Sequence, residues 1–216
     1  MNKSFDKKIK EMLKLQDDIN SQINSKWRLA NNPWYRAIWT ECAELMDHIG
    51  WKWWKNQEID INQSHMELID IWHFGLSDML QSNDSLDKIV QKLDKFDTST
   101  HSNLLLEKNK LLEKIEEFME ITIVSKRFDI EKFLNLTRAV NLNFDQIYKL
   151  YIAKNILNKF RQDNGYKSGE YIKIWDGRED NEHLYEILET LLSNNDQVNL
   201  SEQLYNTLHI RYKTIK

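Results

Sequence analysis

Along most of the chain apolar residues recur three or four positions apart, the spacing of one helix face, and few stretches alternate as a strand would. Over residues 7–23, Ile9, Met12, Leu13, Leu15, Ile19 and Ile23 predict a first helix, with Gln16 and Asn20 one turn apart on it. Asn31-Asn32-Pro33 marks a loop and a helix start. From Trp34 a second helix runs through Ile38, Cys42, Leu45, Met46 and Ile49, with Gly50 as its C-cap. A polar connection over 56–62 leads to a third helix beginning around Gln63 or Ser64. That helix breaks at residues 81–85, where Asp84 or Ser85 can cap the next one. Amphipathic stretches follow over 86–97, 104–125, 127–142, 145–160 and 182–216, with a short polar interval at 98–102.

Five glycines and one proline in 216 residues leave little turn chemistry, which strengthens the all-α reading. At 41% hydrophobic content the expectation is one helical domain over 1–216. A formal charge of −4 gives no basic field that would favour nucleic acid. The single cysteine, Cys42, excludes an intrachain disulfide and reads as a small buried hydrophobe. With no run of about 18 apolar residues and no apolar segment behind the first charges, the expectation is a soluble, cytoplasmic chain without a membrane.

Chemistry concentrates between Glu41 and Ser77. Glu41 and Glu44 share one helix face, and so do Glu67 and Asp70. Paired acids are ordinarily a solvated surface, but Leu45, Met46, Ile49, Leu68, Ile69, Ile71, Trp72 and Phe74 surround these. Carboxylates next to a core call for cations. Ser64 and Glu67 also have capping-box spacing, a competing use of Glu67. Seven of the eight tryptophans fall between Trp27 and Trp72, which is expected to put most of them in the core, and so dense a cluster also suits an aromatic pocket.

A second concentration lies over 154–173, where Lys154, Lys159, Arg161, Lys167 and Lys173 face only Asp163 and Glu170. Lys154, Asn158 and Arg161 form one stripe of donors, and three glycines follow at 165, 169 and 177. Hard divalent cations take carboxylate oxygens, and Lys and Arg take the phosphate oxygens that metals leave uncovered. The two features together predict a Mg²⁺-dependent nucleotide site, and no Gly-Lys-Ser or Gly-Lys-Thr of a P-loop is present.

The ordered motifs Glu41-x-x-Glu44, Trp51-Lys52-x-Trp54-Lys55, Glu67-x-x-Asp70-Ile71-Trp72-His73-Phe74, Lys154-Asn155-x-Leu157-Asn158-x-Phe160-Arg161-Gln162, Gly165-Tyr166-Lys167 and Glu179-Asp180-Asn181 resemble the dimeric dUTPases of the all-α NTP pyrophosphatase superfamily. The likeness covers roughly 13–80 and 148–181. It implies a homodimer that hydrolyses dUTP, and dUDP as well, to dUMP with two or three Mg²⁺ ions per site. Glu41, Glu44, Glu67 and Asp70 would be the metal ligands, with Glu41 or Glu44 also orienting or deprotonating the attacking water. His73 and Phe74 would line the deoxyribose, and Gln16 and Asn20 would read the uracil edge with Trp53 nearby. Lys154, Asn158, Arg161, Tyr166, Lys173 and Asn181 would bind phosphate, partly across the dimer.

Three other readings stay open at this point. A related all-α pyrophosphatase would share the metal motif and differ in base selection. A di-iron carboxylate bundle is imitated by Asp70-x-x-His73, but Glu44 and His48 are four apart where three are needed. A helical interaction module would use the carboxylates as surface and the lysine loop for an acidic partner.

Overall fold

The computed structural model describes residues 3–82, 85–94, 106–193 and 199–215. The interval at 98–102, Asp84 and the first two residues fall outside that set. Among the described residues the chain is all-α, with nine helices and one two-residue-per-strand hairpin. It divides into two compact units, Met1–Tyr148 and Lys149–Lys216.

The first unit contains α1 (Lys3–Ile23), a 3₁₀ turn at Trp27–Leu29, α2 (Trp34–Ile49), α3 (Ile61–Gln81), α4 (Leu86–Asp94), α5 (Lys108–Ser125), α6 (Ile130–Ala139) and the start of α7 (Phe144–Asp163). Helix α2 buries Ile38, Cys42, Leu45 and Ile49, a stripe of four- and three-residue steps. It ends at Gly50, whose φ of +85° lets its N–H close onto Met46 O. Ser85 Oγ accepts from Lys88 N at 3.3 Å, the cap expected for α4.

Helix α3 is the centre of this unit. From Ser64 to Leu80 all but Asp70 and Phe74 are buried, so the helix is enclosed on nearly every side. Its largest pairing is with α2, and α1 packs on it as well. Trp72 anchors the core, its ring stacked on Phe133 at 5.3 Å and 8° and its Nε1–H directed at Met12 Sδ. Phe128, Phe118 and Phe133 complete the aromatic cluster.

The start of α3 corrects the capping box. Asp60 is the N-cap and accepts from Gln63 N at 3.1 Å, while Ser64 lies inside the first turn and donates to Asp60 O. An aspartate one residue before the helix satisfies the orphan N–H that the Ser64 reading assigned elsewhere, and Glu67 is released from capping. The tryptophan expectation is also corrected. Trp27 and Trp72 are buried, but Trp39, Trp51, Trp53 and Trp54 are exposed, because three of these four stand in the loop after α2.

The second unit holds the rest of α7, β1 (Ile174–Trp175), β2 (Arg178–Glu179), α8 (Asp180–Ser193) and α9 (Leu200–Lys213). The stretch expected as helix over 182–216 therefore contains two helices. The hairpin is an element that the apolar periodicity does not predict. Its signal is Asp176-Gly177, both at positive φ, the two-residue turn that matches strand twist. Phe160, Tyr171, Trp175 and Tyr212 form the aromatic core of this unit, with Trp175 and Tyr212 rings 5.3 Å apart.

Candidate active site

The capped start of α3 and the long pairing of α2 with α3 bring the two carboxylate motifs together. One carboxylate oxygen from each of Glu41, Glu67 and Asp70 lies within 4.8 Å of the others. Glu67 is buried, while Glu41 and Asp70 are half-buried. Glu44 is exposed beside the group, near enough for its charge to act on Glu41.

Three acids at such separations repel one another, and Glu41 shows the result. Burial lifts its pKa most, the charges of Asp70, Glu67 and Glu44 add to it, and a carboxyl hydrogen bond with Glu67 helps hold the proton, so it reaches about 9. His48 Nε2 stands 3.5 Å from Glu67 Oε1, and that contact raises the His48 pKa against the opposing effect of burial. His48 is a neighbour that spacing along α2 alone does not assign to Glu67. The donor set is all oxygen, compact and short of positive charge, which fits a hard divalent cation. Cys42 lies between these acids, fully buried and with its thiol pKa pushed upward by burial and by Glu41, so it is the inert small hydrophobe expected.

One turn beyond Asp70, α3 carries a second polar group. His73 Nδ1 is 2.8 Å from Gln16 Oε1, Gln16 Nε2 donates to Asn20 Oδ1 at 3.2 Å, and Asn20 Nδ2 donates to Ser77 Oγ at 2.9 Å. Ser77 Oγ in turn donates to His73 O at 2.9 Å. All four side chains are buried. The structure thus unites Gln16, Asn20 and His73, three residues singled out in the sequence, and adds Ser77, which had no motif to mark it. Its only sequence signal is its place four residues after His73 on the same helix face.

Phe74 stacks on Trp34 with centroids 6.1 Å apart and 27° between planes, and Trp34 meets Trp27 edge-on. Trp53 is placed differently. It is 88% exposed in the loop after α2, and its described ring contact is with Trp54 at 5.3 Å.

In the second unit, four of the six expected phosphate residues, Lys154, Asn158, Arg161 and Asn181, are joined by hydrogen bonds in a network that Arg161 ties to Asp180. Arg161 donates to both of its carboxylate oxygens, at 2.8 and 2.7 Å, and to Asn158 Oδ1 at 3.2 Å. Lys154 Nζ donates to Asn181 Oδ1 at 2.8 Å, and Tyr171 donates its hydroxyl to Asp180. Burial alone would lift the Asp180 carboxyl, but the bonds and charge of Arg161, with Tyr171 and Lys154, outweigh it and hold it below its ordinary range. In the sequence Asp180 is marked only as the middle of Glu179-Asp180-Asn181. Lys173 pairs with Glu179 at 3.0 Å, and Tyr166 is half-exposed with its ring 6.1 Å from Tyr171.

Among the described residues no helix is long and apolar enough to cross a membrane. No curated protein matches the chain. A family model described as dUTPase matches residues 8–166, running across the boundary between the two units. The matched range includes Gln16, Asn20, both carboxylate motifs, His73 and the stripe from Lys154 to Arg161, while Lys173 and Asn181 lie beyond it. Covering well over half of the sequence, that match establishes that the chain belongs to the dimeric all-α dUTPase family.

Proposed function

We propose that this protein hydrolyses dUTP, and dUDP with it, to dUMP in a Mg²⁺-dependent reaction, limiting uracil incorporation into DNA and supplying dUMP for thymidylate synthesis. Family membership supports nucleotide substrates and dUTP hydrolysis in general. The observation that carries the finer reading is the layout of α3. Glu67 and Asp70 belong to an oxygen cluster with Glu41, and His73 and Ser77, beginning one turn later, belong to a buried amide network with Gln16 and Asn20. One helix therefore carries a cation-seeking end and a base-reading end about 5 Å apart along its axis.

Glu41, Glu44, Glu67 and Asp70 would hold the ions, two or three per site. When bound, Mg²⁺ supplies neutralisation of phosphate charge and a lowered pKa for water. Glu41 holds a proton near neutral pH while the acids crowd it, and gives it up once positive charge enters the cluster. Glu41 or Glu44 then orients or deprotonates the attacking water. Gln16 and Asn20 offer amide donors and acceptors to the uracil edge, which differs from that of cytosine by exchanging an acceptor for a donor. His73 and Phe74 flank the deoxyribose, Phe74 held by Trp34 where a 2′-hydroxyl would clash.

Trp53 takes its proposed place near the base from the loop after α2, and Lys154, Asn158, Arg161, Tyr166, Lys173 and Asn181 carry the phosphate role, supplied in part across a homodimer. The whole chain, 1–216, is read as one dUTPase-like domain acting in the cytoplasm, without nucleic acid or membrane as partner.

The test is product formation from dUTP, dUDP, dCTP, dTTP and UTP with Mg²⁺ and with EDTA. Mg²⁺-dependent turnover of dUTP and dUDP alone is the expected result. Turnover centred on another nucleotide would keep the carboxylate site and replace the base assignment, and no turnover on any would remove the reading.

A further inference from the structure

We infer that Ser77 is a positioning residue that sets the direction of hydrogen bonding through the base-reading amides, and with it the choice of uracil over cytosine. The inference rests on the proposed function and names a determinant within that site.

An amide side chain has nearly the same shape in its two flipped orientations, so Gln16 and Asn20 packed against each other contain nothing that selects one. His73 adds no direction either, since its neutral ring can carry the proton on either nitrogen. The asymmetry has to come from a group whose role is fixed. That group is the backbone carbonyl of His73, an acceptor only.

Ser77 sits four residues later on α3, and its hydroxyl proton goes to that carbonyl at 2.9 Å. With its one proton committed, Ser77 Oγ faces Asn20 as an acceptor, so Asn20 must present Nδ2, as it does at 2.9 Å. Asn20 Oδ1 is thereby turned to Gln16 and receives its Nε2–H. Gln16 Oε1 then faces the His73 ring and requires Nδ1–H. The four bonds form a closed circuit that leaves α3 at Ser77 and returns to it at His73, every side chain in it buried.

Reversing one amide would put two donors or two acceptors face to face inside the protein, so the circuit keeps its direction as a unit. The edge the amides offer to a base inherits that direction. A reversed pair would interchange donors and acceptors, which is the difference between the edges of uracil and cytosine.

Two measurements test this. In the intact wild-type protein the ¹⁵N chemical shifts of His73 are expected to report the Nδ1–H tautomer, and the Nε2–H tautomer would overturn the proposal. Ser77→Ala removes the hydroxyl with little change of shape. It is expected to lower the dUTP to dCTP ratio of kcat/KM by about tenfold or more, with His73 becoming a mixture of tautomers and Mg²⁺ dependence kept. An unchanged ratio and tautomer in a folded Ser77→Ala protein would overturn it. If the wild type itself shows no preference for dUTP over dCTP, the proposed function fails instead, and the tautomer measurement still decides the hydrogen-bond direction. That measurement needs no variant, so it stands even if Ser77→Ala does not fold.

Discussion

Glu41 of α2 and Glu67 of α3 bring carboxylate oxygens to within 4.8 Å of each other, and Asp70 completes the group at the same separation. Two acids from different helices take up this arrangement against their own repulsion because the α2–α3 packing holds the backbones there. The cluster therefore keeps a proton that offsets part of its crowded negative charge.

Replacing a single acid should test the metal assignment directly. Glu41→Gln and Glu67→Gln each keep the shape but remove a carboxyl group proposed to hold the ion. Each is expected to reduce Mg²⁺-dependent hydrolysis of dUTP by about a hundredfold or more, roughly 2.7 kcal/mol of barrier. Turnover against Mg²⁺ concentration checks it, and unchanged activity would contradict the metal assignment.

Stability in the absence of metal should depend on pH through Glu41. Its pKa rises from 4.5 to about 9 on folding, so between those values the folded protein keeps a proton that the unfolded chain has lost. Its contribution is therefore full at acid pH and is lost as pH rises through that window. In EDTA the Tm should fall from pH 6 to pH 9 by more than in Glu41→Gln, and stabilisation by added Mg²⁺ should grow over the same range.

Sugar selection should depend on the Phe74–Trp34 stack. Phe74→Ala opens the space beside the ring and is expected to lower the dUTP to UTP ratio of kcat/KM by about tenfold or more. Trp34→Ala should lower it less, by loosening Phe74. Relative kcat/KM for the two nucleotides measures both.

Gly75 lies where α3 approaches the aromatic core. A Cβ there would come within 2.7–2.8 Å of the Phe128 ring, which is packed among Trp72, Phe118 and Phe133 and would have to shift. Gly75→Ala should cost about 1–3 kcal/mol, read by denaturant unfolding. An unaffected midpoint would show that the ring shifts freely.

In the second unit, Asp180 is fully buried and holds Arg161 by two bonds. Asp180→Asn leaves that guanidinium without its counter-charge and should destabilise the protein by about 3 kcal/mol or more in chemical unfolding. The pair's contribution should also be lost as pH falls through the depressed Asp180 pKa, since that carboxylate is favoured only above it.

How much of this could be read from the residue order differs from element to element. Helix α2 was legible to its last residue, because the Ile38, Cys42, Leu45, Ile49 stripe and Gly50 are local signals. The carboxylate pairs were legible for the same reason, as residues three apart must share a helix face. The hairpin at Ile174–Glu179 was missed, since two-residue strands leave no periodicity to detect. Trp53 belongs to a tryptophan cluster that composition assigns mostly to the core, but composition cannot tell a loop tryptophan from a core one, and Trp53 stands exposed.

The sequence by itself determined the all-α class, the family and the identities of the acids, amides and cations, all of which depend on short-range spacing or on ordered motifs. Only the tertiary structure decided which of them meet. Packing between α2 and α3 selected Glu41, Glu67 and Asp70 from the four acids as the compact group and left Glu44 at its exposed side. Packing of α1 on α3 joined Gln16 to His73 and Asn20 to Ser77, each pair 57 positions apart. Such contacts are fixed by the burial of whole helix faces, and no local pattern in either segment records its partner.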